Sequence, residues 1–154
     1  MKVYYGVEFH SDADVKDIIA DYEYCDSDGS ILITDCYKQA ILLKNQFISK
    51  NIYEEMHELI KLHPTEIYGS FTDYGMISES GNHYLFKEMV CHFQFKSPEF
   101  TQMKMCILQI EEHLLAVSDQ TFYAGSNDSE LVQKIAQSYE VTVDFDLDKK
   151  NENV

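Results

Sequence analysis

Val3-Tyr4-Tyr5-Gly6-Val7-Glu8-Phe9 runs straight into Ser11-Asp12-Ala13-Asp14-Val15-Lys16-Asp17-Ile18-Ile19-Ala20-Asp21-Tyr22, and the change of period between the two stretches decides the fold class. In the first, Val3, Tyr5, Val7 and Phe9 recur at every second position, which puts them on one face of a half-buried strand. In the second, Val15, Ile18, Ile19 and Tyr22 recur at helical spacing. Ser11 can serve as N-cap, and Asp12 and Asp14 would sit in a first turn where the helix dipole favours anions. A strand followed by a helix over about 12–24 predicts an α+β chain. On that helix Asp14, Asp17 and Asp21 would form one acidic stripe.

Working outward, Asp26-Ser27-Asp28-Gly29 reads as a turn and Ile31-Leu32-Ile33-Thr34 as a strand. Residues 37–44 read as a second strand pairing back, with a helix capped by Asp35 as the alternative. Asn51-Ile52-Tyr53-Glu54 resembles a capping box. The helix it would open buries Ile52, Met56, Leu59 and Ile60, exposes Glu54, Glu55 and Glu58, and stops at Pro64. Residues 67–122 read as an antiparallel meander with strands near 67–75, 83–96, 102–111 and 114–123. In the second of these Leu85, Met89, Cys91, Phe93 and Phe95 share a face, which leaves Tyr84 and Phe86 on the opposite, more exposed one. Asn127 or Asp128 caps a further helix with Leu131, Val132, Ile135 and Tyr139 inward. A last strand points Val141, Val143, Phe145 and Leu147 in, and Asp144 and Asp146 out. The expectation is a single α+β domain over 1–147, a largely antiparallel sheet with about three helices packed on it, and a disordered polar tail over 148–154.

Length and composition fit that reading. The chain has 154 residues and 45% hydrophobic content, enough for a core without staples. No apolar run approaches the roughly 20 residues that span a bilayer, and residues 1–8 lack a signal-peptide pattern, so a cytoplasmic location is expected. Cys25, Cys36, Cys91 and Cys106 form no C-x-x-C pair and are expected to be reduced and mostly structural. Net charge is −15, from 27 acidic residues against 12 cations, all of them Lys. Without arginine forks for phosphates and base edges, direct binding to nucleic acid or an anionic membrane is disfavoured. A basic protein partner is favoured, because opposite charge steers encounter.

Local motifs add little chemistry. His57-Glu58 lacks the second histidine four residues on that a zinc-protease helix needs, since His63 comes at six. Asp26-Ser27-Asp28-Gly29 lacks the first carboxylate and the final glutamate of a calcium loop. There is no nucleophile elbow and no phosphate-cradling glycine run. No cofactor or metal is expected, and the chain reads as a non-enzyme. The expected function is an inhibitor or immunity-type, anti-defence protein that neutralises a basic nucleic-acid-binding partner by nucleic-acid mimicry. Its contacts would come from Asp14, Asp17, Asp21, Glu54, Glu55, Glu58, Asp144 and Asp146, with tyrosines beside them. The alternatives are an enzyme or small-ligand domain whose site is assembled by the fold, and an acidic structural subunit.

Overall fold

Val3–Phe9 forms the strand that its alternation predicts, and that strand, β1, is central to a six-stranded antiparallel sheet. A computed structural model describes residues 2–96 and 100–145. In chain order the elements are β1 (Val3–Phe9), α1 (Lys16–Ile19), β2 (Asp26–Asp28), β3 (Ile31–Thr34), α2 (Tyr37–Ser49), β4 (Tyr53–Leu62), β5 (Glu66–Ile67), β6 (Gly75–Ile77) and β7 (His83–Phe86). They continue with β8 (Val90–Phe95), α3 (Phe100–Ile110), β9 (Leu114–Ser118), β10 (Thr121–Gly125), α4 (Ser129–Ser138) and β11 (Val143–Phe145). The fold class is α+β, and every strand pairing among the described residues is antiparallel. No helix among them is long and apolar enough to cross a membrane.

The contacts divide into two compact units. The first, Met1–Leu62 with Gly75–Lys87, holds the sheet ordered β2-β3-β1-β4-β7-β6. One face of this sheet packs Val7, Phe9 and Leu32 against Ala40, Leu43 and Phe47 of α2. The other face buries Ile33, Leu59, Met76 and Tyr84, with Tyr4, Ile31 and Phe86 around them. Gly6 sits on that second face. A Cβ there would meet Ile31 Cγ2 at 3.0 Å and Leu59 Cδ1 at 3.1 Å, so a side chain would spread the neighbouring strands. The second unit, His63–Tyr74 with the described residues from Glu88 onward, holds the sheet ordered β11-β8-β10-β9-β5. Its core joins Cys91 and Phe93 of β8 to Cys106 and Ile110 of α3 and to Val132, Ile135 and Ala136 of α4.

Several expected elements have the other periodicity. Residues 37–44 belong to a helix, α2, which buries Ala40, Leu43 and Phe47 at intervals of three and four. Asp35 does not cap it, because its carboxylate is bonded to Lys2 Nζ at 3.0 Å. The expected helix after Asn51 is strand β4. Asn51 ends α2 instead of starting a helix: its φ is 59°, its amide bonds to Ile48 O, and the Ile52 amide bonds to Phe47 O. That is a Schellman termination, which needs a left-handed residue and takes asparagine readily. The expected strand over 102–111 is helix α3, with Cys106 and Ile110 buried one turn apart. The expected strand over 114–123 is the β9–β10 hairpin, turning at Asp119 with φ 50°. The helix over 12–24 contracts to Lys16–Ile19, although Val15, Ile18, Ile19 and Tyr22 still pack on the α2 cluster. The 67–75 and 83–96 segments each break, into β5 and β6 and into β7 and β8. Tyr84 is fully buried. Residues 146–154, including Asp146, Leu147 and the tail, lie outside the described residues.

Gly75 shows how close β6 and β7 lie: a Cβ there would collide with the carbonyl oxygen of Tyr84 and approach Leu85 Cα at 3.0 Å, both backbone atoms. Gly75→Ala is therefore expected to cost about 3 kcal/mol or more in urea unfolding. Gly69→Ala, which meets nothing within 4 Å, should stay within about 0.5 kcal/mol of wild type. Equal midpoints for the two variants would show that the strand contact is not as tight as described.

Candidate functional site

Three groups of polar side chains stand out, the first two of them within the first unit. The first is buried. Asp26 on β2 is 4% exposed, and its carboxylate accepts from Ser78 Oγ, from Asn82 Nδ2 at 2.9 Å, from Tyr84 Oη at 3.0 Å and from the Ser27 amide at 2.9 Å. Ser78 and Asn82 lie in the β6–β7 connection, at the opposite edge of the sheet from β2. The Glu79 amide also bonds to Ser27 O at 2.9 Å, and Ser27 Oγ to Glu79 Oε2 at 3.2 Å. The sheet therefore curls until β2 meets the β6–β7 connection, with Asp26 as the clasp.

Burial alone would raise the Asp26 pKa, but the bonds from Ser78, Asn82, the Ser27 amide and Tyr84 outweigh it and hold the carboxyl at about 2. Burial, then the bond to Asp26, pushes the Tyr84 phenol up. An ionised acid that already takes four donors has little capacity left for a ligand, so the role of this cluster is to close the sheet.

The second group sits on the same face. Pairing carries Asp26 to Ile33, Ile33 to Gly6 and Gly6 to His57, one continuous row across four strands. His57 Nε2 lies 2.9 Å from Glu8 Oε2 and 3.9 Å from Glu55 Oε2, and its ring packs against Phe86 at 5.1 Å between centroids. Glu8 and Glu55 are direct cross-strand partners. The register then slips, so that Phe9 pairs with Tyr53 and Glu54 is the extra residue of a bulge. The bulge explains why Tyr53 and Met56, three apart, both pack toward the α2 cluster.

The third group is the acidic surface. Asp14, Asp17 and Asp21 are exposed, as are Asp12 and Glu23 beside them. They do not form one helical stripe, because only Asp17 lies within α1. Among the described residues none of the five belongs to an ion pair. Glu54, Glu55 and Glu58 are exposed, but on a strand, where Glu55 and Glu58 point to opposite faces. Glu58 lies 3.9 Å from Lys87. Asp144 does not face out as expected: it is 9% exposed and 3.3 Å from Lys96. Sequence alternation assigns it outward, yet Val143 and Phe145 on the other face are only partly buried.

The Glu8–Glu55–His57 group was not visible in sequence, because its members are 47 and two residues apart and meet only through strand pairing. On the helix that the spacing predicts, the neighbours of His57 would be Tyr53 and Lys61. No protein-family model, curated protein or solved structure matches the chain.

The depressed carboxyl of Asp26 sets the sign of a pH effect. Its folded pKa, about 2, lies below the usual 3.8, so its stabilisation is complete above about pH 4 and is lost as pH falls toward 2. A gap of nearly two pH units corresponds to about 2 kcal/mol. Asp26→Asn should lower unfolding free energy by about that much at pH 7 and lose correspondingly less between pH 4 and 2. Parallel acid profiles for the two proteins would contradict the clasp.

Proposed function

We propose that this protein is an acidic inhibitor that docks on a basic, nucleic-acid-binding protein and occupies the surface its nucleic acid would use. The observation that carries this reading is the run between His10 and Cys25. Five exposed carboxylates, Asp12, Asp14, Asp17, Asp21 and Glu23, stand there with Lys16 as the one cation among them. None of the five is in an ion pair among the described residues. Carboxylates left without internal cations keep their full field for a partner, and such a field speeds encounter with a basic surface. The segment is also pinned. Val15, Ile18, Ile19 and Tyr22 pack on the α2 core, Tyr22 Oη lies 3.4 Å from Gln46 Oε1, and the Lys16 amide bonds to Asp14 Oδ1 at 3.2 Å. A held backbone presents its charges in a fixed spacing, as a phosphate mimic requires. Glu54 on the bulge adds charge on a separate strand.

The test compares two triple reversals that change net charge equally. Asp14, Asp17 and Asp21→Lys takes the chain from −15 by three steps of two to −9, and so does Glu112, Glu130 and Glu140→Lys in the second unit, all exposed. A basic partner retained from lysate at low salt should be released at high salt. The first triple variant should bind it about tenfold or more weakly, chiefly through slower association. The second should bind nearly as wild type. Equal binding by wild type and the first variant, or equal losses in both variants, would reject a dedicated docking segment.

A further inference from the structure

Glu8, Glu55 and His57 place two carboxylate oxygens and an imidazole nitrogen within 4.8 Å of one another on adjacent strands. We propose that they form a binding site for a divalent first-row transition ion, of the class of Mn²⁺ or Zn²⁺. The proposal does not depend on the docking role of the acidic segment.

The spacing fits such an ion. Ligands about 2.1 Å from a metal, set at angles between octahedral and tetrahedral, are about 3.0–3.4 Å apart. The observed separations from His57 Nε2, 2.9 Å to Glu8 and 3.9 Å to Glu55, bracket that range. Glu55, with 69% of its side chain exposed, can close its longer gap by rotating. His57 and Glu8 are held more firmly, at 17% and 32% side-chain exposure. The Phe86 ring beside His57 limits the orientation of the imidazole. Two of the three ligands are thus in place before binding, and the mobile one lies on the solvent side, where further positions would be filled by water.

Charge points the same way. Glu8 and Glu55 face each other directly across the β1–β4 pair, an arrangement of like charges that destabilises a sheet. No lysine is paired with either among the described residues, although Glu58, on the opposite face of β4, has Lys87. A divalent cation would offset that repulsion fully, whereas one imidazole proton offsets half of it. The imidazole also sets the class of ion, since Mg²⁺ and Ca²⁺ prefer all-oxygen shells while Mn²⁺ and Zn²⁺ accept nitrogen with oxygen. The Asp26 cluster offers no comparable site, because donors already fill its carboxylate.

Mn²⁺ is the probe of choice: thiols bind it poorly, so the exposed Cys25 and Cys36 do not compete. Titration of the intact protein at physiological salt should show one saturable Mn²⁺ site, at least tenfold tighter than Mg²⁺. Paramagnetic broadening should begin at the His57 imidazole. Glu55→Gln, at an exposed position that leaves the fold intact, should weaken Mn²⁺ at least tenfold, and His57→Ala should abolish the site. Glu130→Gln, an exposed acid of the second unit, should change nothing. Three outcomes would overturn the proposal: no saturable site, equal affinity for Mg²⁺ (a diffuse acidic surface), or wild-type Mn²⁺ affinity in Glu55→Gln.

Discussion

One buried carboxylate holds the first unit in its curled form. Asp26 sits on an edge strand; its partners Ser78 and Asn82 come from the β6–β7 connection at the far end of the same sheet, and Tyr84 from β7. An edge strand with free amides and carbonyls invites pairing with other chains. Here the Ser27 carbonyl is used by the Glu79 amide, and the charge next to it is stabilised by hydrogen-bond donors rather than by a cation. The penalty for burying a charge is met by four hydrogen bonds, which is why the carboxyl stays ionised instead of taking up a proton. Closure has a steric condition as well. Gly6, in the row that links Asp26 to His57, has no side chain to push the curled strands apart.

The same row connects stability to chemistry. Asp26, Ile33, Gly6 and His57 follow one another across β2, β3, β1 and β4, and the β1–β4 pairing at the end of that row is what brings Glu8 and Glu55 face to face. The acidic segment from Asp12 to Glu23 lies outside that row. It is anchored by apolar contacts to α2 and has no ion pairs among the described residues. Besides the buried Asp26, the first unit therefore carries two further kinds of negative charge: one organised around an imidazole, one spread along a surface segment.

Much of the first strand, the last helix and the fold class could be read from periodicity alone. Val3, Tyr5, Val7 and Phe9 recur at every second position of a strand that forms, and Val132 and Ile135 face inward on α4 as expected. Where the reading failed, short apolar runs supported both periods. Ala40-Ile41-Leu42-Leu43 fits a strand until Phe47 is included, and the helical spacing of Cys106 and Ile110 is masked by the exposed Phe100, Met105 and Leu108. Asn51 carries a residue type shared by helix starts and left-handed helix ends, and its backbone chose the second. In β4 the bulge at Glu54 breaks the alternation that would have marked a strand, leaving a spacing that imitates a helix. The chain passes between the two units three times, after Leu62, Tyr74 and Lys87. The glutamate–histidine group was hidden for a related reason: its members are neighbours only through a pairing register.

Hydrogen exchange at the Glu79 amide tests the clasp most directly. That amide bonds only to Ser27 O across the closure, so its protection reports whether the two sheet edges stay together. In the wild type the Glu79 amide should be protected nearly as strongly as the Val7 amide of central strand β1. In Asp26→Ala that protection should fall selectively while Val7 keeps most of its own. Free exchange at Glu79 in the wild type, or unchanged protection in Asp26→Ala, would contradict the clasp.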